Sequence, residues 1–104
     1  MTNITDKTIA EFLETDKPVV LDFWADWCNP CKTMGVFLEQ LKDDYNGEVA
    51  FGKIDTDDNH EAVEEYKIKN LPTLKVLRKG KVVGTIVGVK NKDELKKEID
   101  SLVV

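Results

Sequence analysis

The run Val19-Val20-Leu21-Asp22-Phe23-Trp24 limits how this chain can fold more than any other segment. Apart from Asp22 it is apolar at successive positions, not at every second one. A strand with one wet face alternates; a strand without alternation is covered on both faces, the usual condition inside a parallel sheet. Parallel neighbours need crossover connections, normally helices, and the flanking sequence supplies them. Before the run, a helix is expected from about Asp6, a candidate N-cap, with Ile9, Phe12 and Leu13 on one face. After it, Met34, Phe37, Leu38, Leu41 and Tyr45 recur at helical spacing as far as Asn46-Gly47, where a left-handed turn can end a helix.

Val49 to Ile54 reads as a second strand and Asn59 to Tyr66 as a short helix. Thr73 to Arg78 and Lys81 to Val87, separated by Lys79-Gly80, form an antiparallel hairpin, and Leu95, Ile99 and Leu102 mark a final helix. A crossover at the front and a hairpin at the end demand a mixed sheet. The expectation is an α/β fold, a central mixed β-sheet flanked by helices on both faces. No linker, repeat or low-complexity tract interrupts the pattern, so residues 1–104 are expected to form one domain.

Charge and cysteine usage narrow the function. Fifteen basic and twenty acidic residues leave a net charge of -5, which opposes nucleic-acid binding by clustered Lys and Arg. The distribution is uneven: residues 1–66 carry five basic and sixteen acidic groups, residues 67–104 ten and four, giving the fold an acidic and a basic side. No apolar run approaches the ~20 residues that span a bilayer, so no membrane partner is expected. The first residues show neither a basic n-region nor an apolar h-region. That favours a cytoplasmic location, with a mature chain whose leader has been removed as the alternative. Two cysteines are too few for a disulfide scaffold, and with a single histidine they are too few for a closed zinc site. No metal site is expected.

The two cysteines lie three positions apart, in Trp27-Cys28-Asn29-Pro30-Cys31, just after the buried run and at the start of the next helix. Helix N-termini carry unpaired N–H groups and the positive end of the dipole, which stabilise a thiolate at Cys28. The thiolate is the nucleophile of disulfide exchange. One helical turn further on, Cys31 is close enough to attack a mixed disulfide formed on Cys28. Pro30 suits a first turn, where no N–H is needed. Competing readings are a structural pair, two thiolate ligands of a metal-carrying module, and a redox-independent partner protein in which the cysteines are incidental.

The segment Phe23-Trp24-Ala25-Asp26-Trp27-Cys28-Asn29-Pro30-Cys31-Lys32 resembles the active-site segment of the thioredoxin family. The resemblance continues through Lys53-Ile54-Asp55-Thr56-Asp57, Leu71-Pro72-Thr73-Leu74, Lys79-Gly80 and Val87-Gly88, and it covers essentially the whole chain. It implies the thioredoxin fold and a thiol–disulfide oxidoreductase, a protein-disulfide reductase working through a reversible Cys28–Cys31 couple. It also implies electrons from a thioredoxin reductase, disulfide-containing protein substrates, no bound cofactor and a monomer.

The resemblance assigns further roles, each with a plainer competitor. Asp22 would be a buried acid that takes the proton of Cys31; the alternative is a strand-edge carboxylate facing water. Lys53 would approach that acid and influence its titration; the alternative is an edge-strand lysine that guards against aggregation. A cis peptide at Pro72 would face the cysteines, against a base rate of ~5% for X–Pro bonds, and the Leu71 backbone would pair with extended substrate. Trp27 would form an apolar rim around Cys28, with Asn29, Pro30 and Gly88 completing the docking surface, while Trp24 packs beneath. Gly80 serves the hairpin turn, and His60 is a solvated residue at a helix start. Two positions depart from the family: Asn29 replaces the usual glycine, and Val36 replaces a helix-kinking proline.

Overall fold

A computed structural model describes residues 1–104. Its strands are β1 (Thr2–Ile4), β2 (Val19–Trp24), β3 (Ala50–Asp55), β4 (Thr73–Arg78) and β5 (Lys81–Val87). Its helices are α1 (Ile9–Phe12), α2 (Asn29–Leu41), α3 (His60–Glu65) and α4 (Lys92–Val103), with a 3₁₀ turn at Lys42–Tyr45. The strands form one sheet in the order β1-β3-β2-β4-β5. β1 and β2 pair with β3 in parallel, whereas β2–β4 and β4–β5 are antiparallel. This is the mixed sheet that the crossover and the hairpin require.

β2 lies at the centre, with a partner on each side. Its alternate residues enter two different cores. Val19, Leu21 and Phe23 join Ile4, Ile54, Ala62 and Leu77, with Ile9 and Phe12 of α1 packed alongside. Val20 joins Met34, Leu38, Leu74, Val76, Leu95 and Ile99 beneath α2 and α4. Two dry faces explain why the run does not alternate. Each fully buried aliphatic or aromatic side chain contributes roughly 1.5–3 kcal/mol, and that sum holds the helices on both faces. By the same alternation, Asp22 falls on the side of Val20, under α2.

Local readings changed in three places. Asp6 does not cap α1, which is only four residues long and begins after Thr8. The Asp6 carboxylate instead accepts from the backbone N–H of Ala62 at 2.8 Å and of Glu61 at 3.2 Å, capping α3 across space. α2 runs unbroken to Leu41, but its last predicted turn, which carries Tyr45, is a 3₁₀ turn closed by left-handed Asn46 (φ 52) and Gly47 (φ 77). β3 runs one residue later than the apolar pattern suggested. Lys79 (φ 53) and Gly80 (φ 78) form the left-handed turn of the β4–β5 hairpin, as expected.

Candidate active site

β2 ends at Trp24, and the chain turns into α2 within four residues. Cys28 is the N-cap of α2, in an extended conformation, and Pro30 occupies its first turn. The Cys28 Sγ accepts the Cys31 N–H at 3.2 Å, one of the orphan donors of the helix start. That bond and the helix dipole favour negative charge on this sulfur. Cys28 and Cys31 are joined as a disulfide, with their Cα atoms 5.3 Å apart. Both are buried, Cys28 5% and Cys31 2% exposed, in a small cluster with Ala25 against which Trp24 and Leu71 pack.

Around Cys28 the surface belongs to other elements. Trp27 is 69% exposed. Its indole N–H donates to the Asp57 carboxylate at 3.0 Å. Asp57 is placed by the loop after β3, whose Thr56 N–H and hydroxyl both donate to the Trp24 carbonyl, at 2.9 and 3.1 Å. Asn59 fixes the far end of that loop, donating to the Asp55 carbonyl at 2.8 Å and accepting from the Asp6 N–H at 2.9 Å. The Leu71–Pro72 peptide is cis, and Pro72 is buried. Gly88 (φ 85) donates its N–H to the Pro72 carbonyl at 2.9 Å, so the end of β5 and the proline loop are stitched together. Asn29 and Pro30 are exposed at the helix start.

Around Cys31 the environment is different. A crevice of about 460 Å³ under α2 is lined by Cys31, Asp22, Trp24 and Lys53, among others. Asp22 is 2% exposed, and its Oδ1 has no hydrogen-bond partner. Loss of hydration penalises the carboxylate and pushes its pKa up to about 7, against the opposing pull of the Lys53 ammonium. Lys53 stands directly opposite Asp22 in the β2–β3 register. β3 lies between β1 and β2, so Lys53 is not an edge-strand guard, nor is Asp22 at an edge. The Lys53 Nζ lies 5.5 Å from the centre of the Trp24 ring, a cation–π contact.

Sequence reading missed Asp57 as the anchor of Trp27. The residue lies inside a segment that resembles the family, but nothing local reveals a partner 30 positions away. His60 is exposed at the start of α3 and does not line the crevice. No three His, Cys, Asp or Glu side chains converge in a way that could hold a metal ion.

A disulfide at a helix N-terminus, held at the end of the central strand of a mixed sheet between helices, defines a thiol–disulfide oxidoreductase. The thioredoxin family model matches residues 1–101. The thioredoxin of Chlorobaculum thiosulfatiphilum is 42% identical over 97 residues, covering 92% of this chain and 90% of the relative. That of Streptomyces clavuligerus is 40% identical over 94 residues (89% and 87% covered), and thioredoxin 2 of Chlorobaculum tepidum 38% over 91 (88% and 84% covered). The chain belongs to the thioredoxin family, and its redox-active group is the Cys28–Cys31 pair.

Proposed function

We propose that this chain is a monomeric, single-domain protein-disulfide reductase in which Cys28 attacks and Cys31 resolves. The observation that carries the division of labour is the N-cap position of Cys28, whose sulfur accepts a helix N–H while Cys31 lies one turn inside. In the reduced protein the Cys28 thiolate attacks a substrate disulfide; one substrate sulfur leaves as thiolate and the other stays on Cys28. Cys31 gives its proton to Asp22 and attacks Cys28. The Cys28–substrate bond breaks and the second substrate thiolate departs, leaving the Cys28–Cys31 disulfide. Lys53 opposite Asp22 tunes how readily that acid accepts the proton.

Trp27, Asn29, Pro30, Leu71, Pro72 and Gly88 form the docking surface, with the Leu71 backbone free to pair with an extended substrate segment. The partners are disulfide-containing proteins and a thioredoxin reductase that restores the dithiol. The chemistry calls for no bound cofactor or metal, and for neither nucleic acid nor membrane. The setting is cytoplasmic. The test is insulin reduction driven by a reductase and its nicotinamide donor. The parent chain turns over and Cys28→Ser does not; unchanged turnover in that variant overturns the mechanism.

A further inference from the structure

Asp22 must lose each proton it takes before it can act again, and the crevice it lines does not open among the docking residues. Trp27, Leu71, Pro72 and Gly88 are absent from the crevice that Asp22 and Cys31 share. The crevice instead runs beneath α2, past Gly35 and Val36, one turn beyond Cys31. Val36 is exposed at its edge. The unpartnered Oδ1 of Asp22 belongs to a side chain almost wholly buried on the crevice floor. Liquid water takes roughly 30 Å³ per molecule, so about 460 Å³ is room for a connected chain of waters.

Gly35 is the unusual residue. Gly47, Gly80 and Gly88 occupy positive φ, and a Cβ at Gly52 or Gly84 would run into Ile4 and Phe12 or into Leu102. At Gly35 a Cβ meets nothing within 4 Å, and the backbone is ordinary helix. Glycine inside a helix weakens it, and no local contact requires one here. Open space is what the missing side chain leaves behind.

We propose that Gly35 and Val36 are positioning residues that hold open a proton route from Asp22 to solvent, on a different face from the one where substrate docks. The inference rests on Asp22 being the base for Cys31. Electrons pass through Cys28 at the docking surface, while the proton moves from the Cys31 thiol to the Asp22 carboxylate and leaves under α2. A docked protein substrate therefore does not seal the proton exit. The charged groups around Asp22 are Lys53 from β3 and Lys32 and Glu39 from α2, with the Met1 amino group paired to Glu39 at 2.6 Å. β4 places uncharged Leu74 beside Asp22 and turns Lys75 to the opposite face, where it bonds Thr85.

Filling the crevice strips water from Asp22, which favours its protonated form and delays proton release. The test uses Gly35→Leu and, at the exposed edge, Val36→Trp. Cys28 is loaded at acid pH with thionitrobenzoate, the pH is jumped, and release of the coloured thiol reports attack by Cys31. In both variants the pH midpoint of release moves up, by about one unit in Gly35→Leu. At pH 7, at the parent's own midpoint, the resolving rate of that variant falls about fivefold relative to its attacking rate. Val36→Trp carries the test should Gly35→Leu fail to fold. In an Asp22→Asn background Gly35→Leu has no further effect. If Asp22→Asn abolishes the midpoint but neither crevice variant shifts it, the route is wrong and the base stands. If Asp22→Asn leaves the profile unchanged, the base assignment falls and the route with it.

Discussion

Cys28 and Cys31 are three residues apart, covalently joined and almost equally buried, yet their surroundings have little in common. Cys28 sits where the helix begins, beside an exposed tryptophan and a proline loop stitched to β5. Cys31 sits one turn inside, over a crevice whose floor is an unpartnered carboxylate on the central strand. Burial alone therefore does not distinguish the two sulfurs. What differs is the polar group near each one: a helix N–H on one sulfur, and for the other a shared crevice with an acid whose pKa burial raises to about 7. The asymmetry comes from the fold. The chain leaves β2 at its end, so the helix start lies beyond the end of the central strand, whereas its second turn lines the crevice with Asp22.

The largest test of this contrast is Cys31→Ser. In the proposed mechanism the variant keeps the attacking thiolate and loses the resolving one, so turnover stops and a mixed disulfide with substrate accumulates on Cys28. Mass spectrometry of the intact protein after mixing with an oxidised substrate should show the added mass. Absence of the adduct, with Cys28 still reactive, would mean that the two environments do not divide the labour.

Next in size is Asp22→Asn, which removes the charge from the Cys31 side. The folded-state pKa of Asp22, about 7, lies above the ordinary aspartate value of 3.8. An acid whose pKa rises on folding binds protons more tightly in the folded state. It therefore makes stability fall as pH rises between about 4 and 7, and the loss is complete above that window. Three units at 1.36 kcal/mol each set a ceiling of about 4 kcal/mol. Asp22→Asn should match the parent near pH 4 and exceed it by up to about 4 kcal/mol at pH 8. Urea unfolding at the two pH values checks this. A gain that is equal at both would mean that the substitution relieves something other than a buried charge.

Much of this arrangement is legible in the sequence, and the exceptions share a cause. The run at residues 19–24 announced a two-faced strand because burial on both sides erases alternation, and Gly80 announced its turn because left-handed backbone selects glycine. The placement of Cys28 at a helix start followed from strand, motif and helix in direct succession. The Asp22–Lys53 pairing was different: the residues themselves showed only two polar interruptions, and it was expected from the resemblance alone, because a parallel register is set by tertiary packing. Asp6 was misread because capping was judged locally, whereas its carboxylate serves a helix 55 residues on. The crevice left no trace in the sequence except a helix-interior glycine, since its walls come from β2, β3 and α2 together.

The smallest predicted effect lies on the Cys28 side and involves Asp57, another residue hidden by sequence distance. Trp27 is largely in water, so packing alone does not fix its ring; the bond from its indole N–H to Asp57 does. Asp57 is itself exposed, and the net contribution of such a hydrogen bond is about 1 kcal/mol. Asp57→Ala should therefore loosen the ring without touching either sulfur. The KM for a protein disulfide should rise about fivefold while kcat stays near the parent value, the pattern of lost uniform binding. The resolving step, measured by release of a small thiol from Cys28, should keep its pH midpoint, because the crevice around Asp22 is unchanged. A shifted midpoint would show that the two sides of the disulfide are coupled through Trp27, and the contrast between them would then be one of degree.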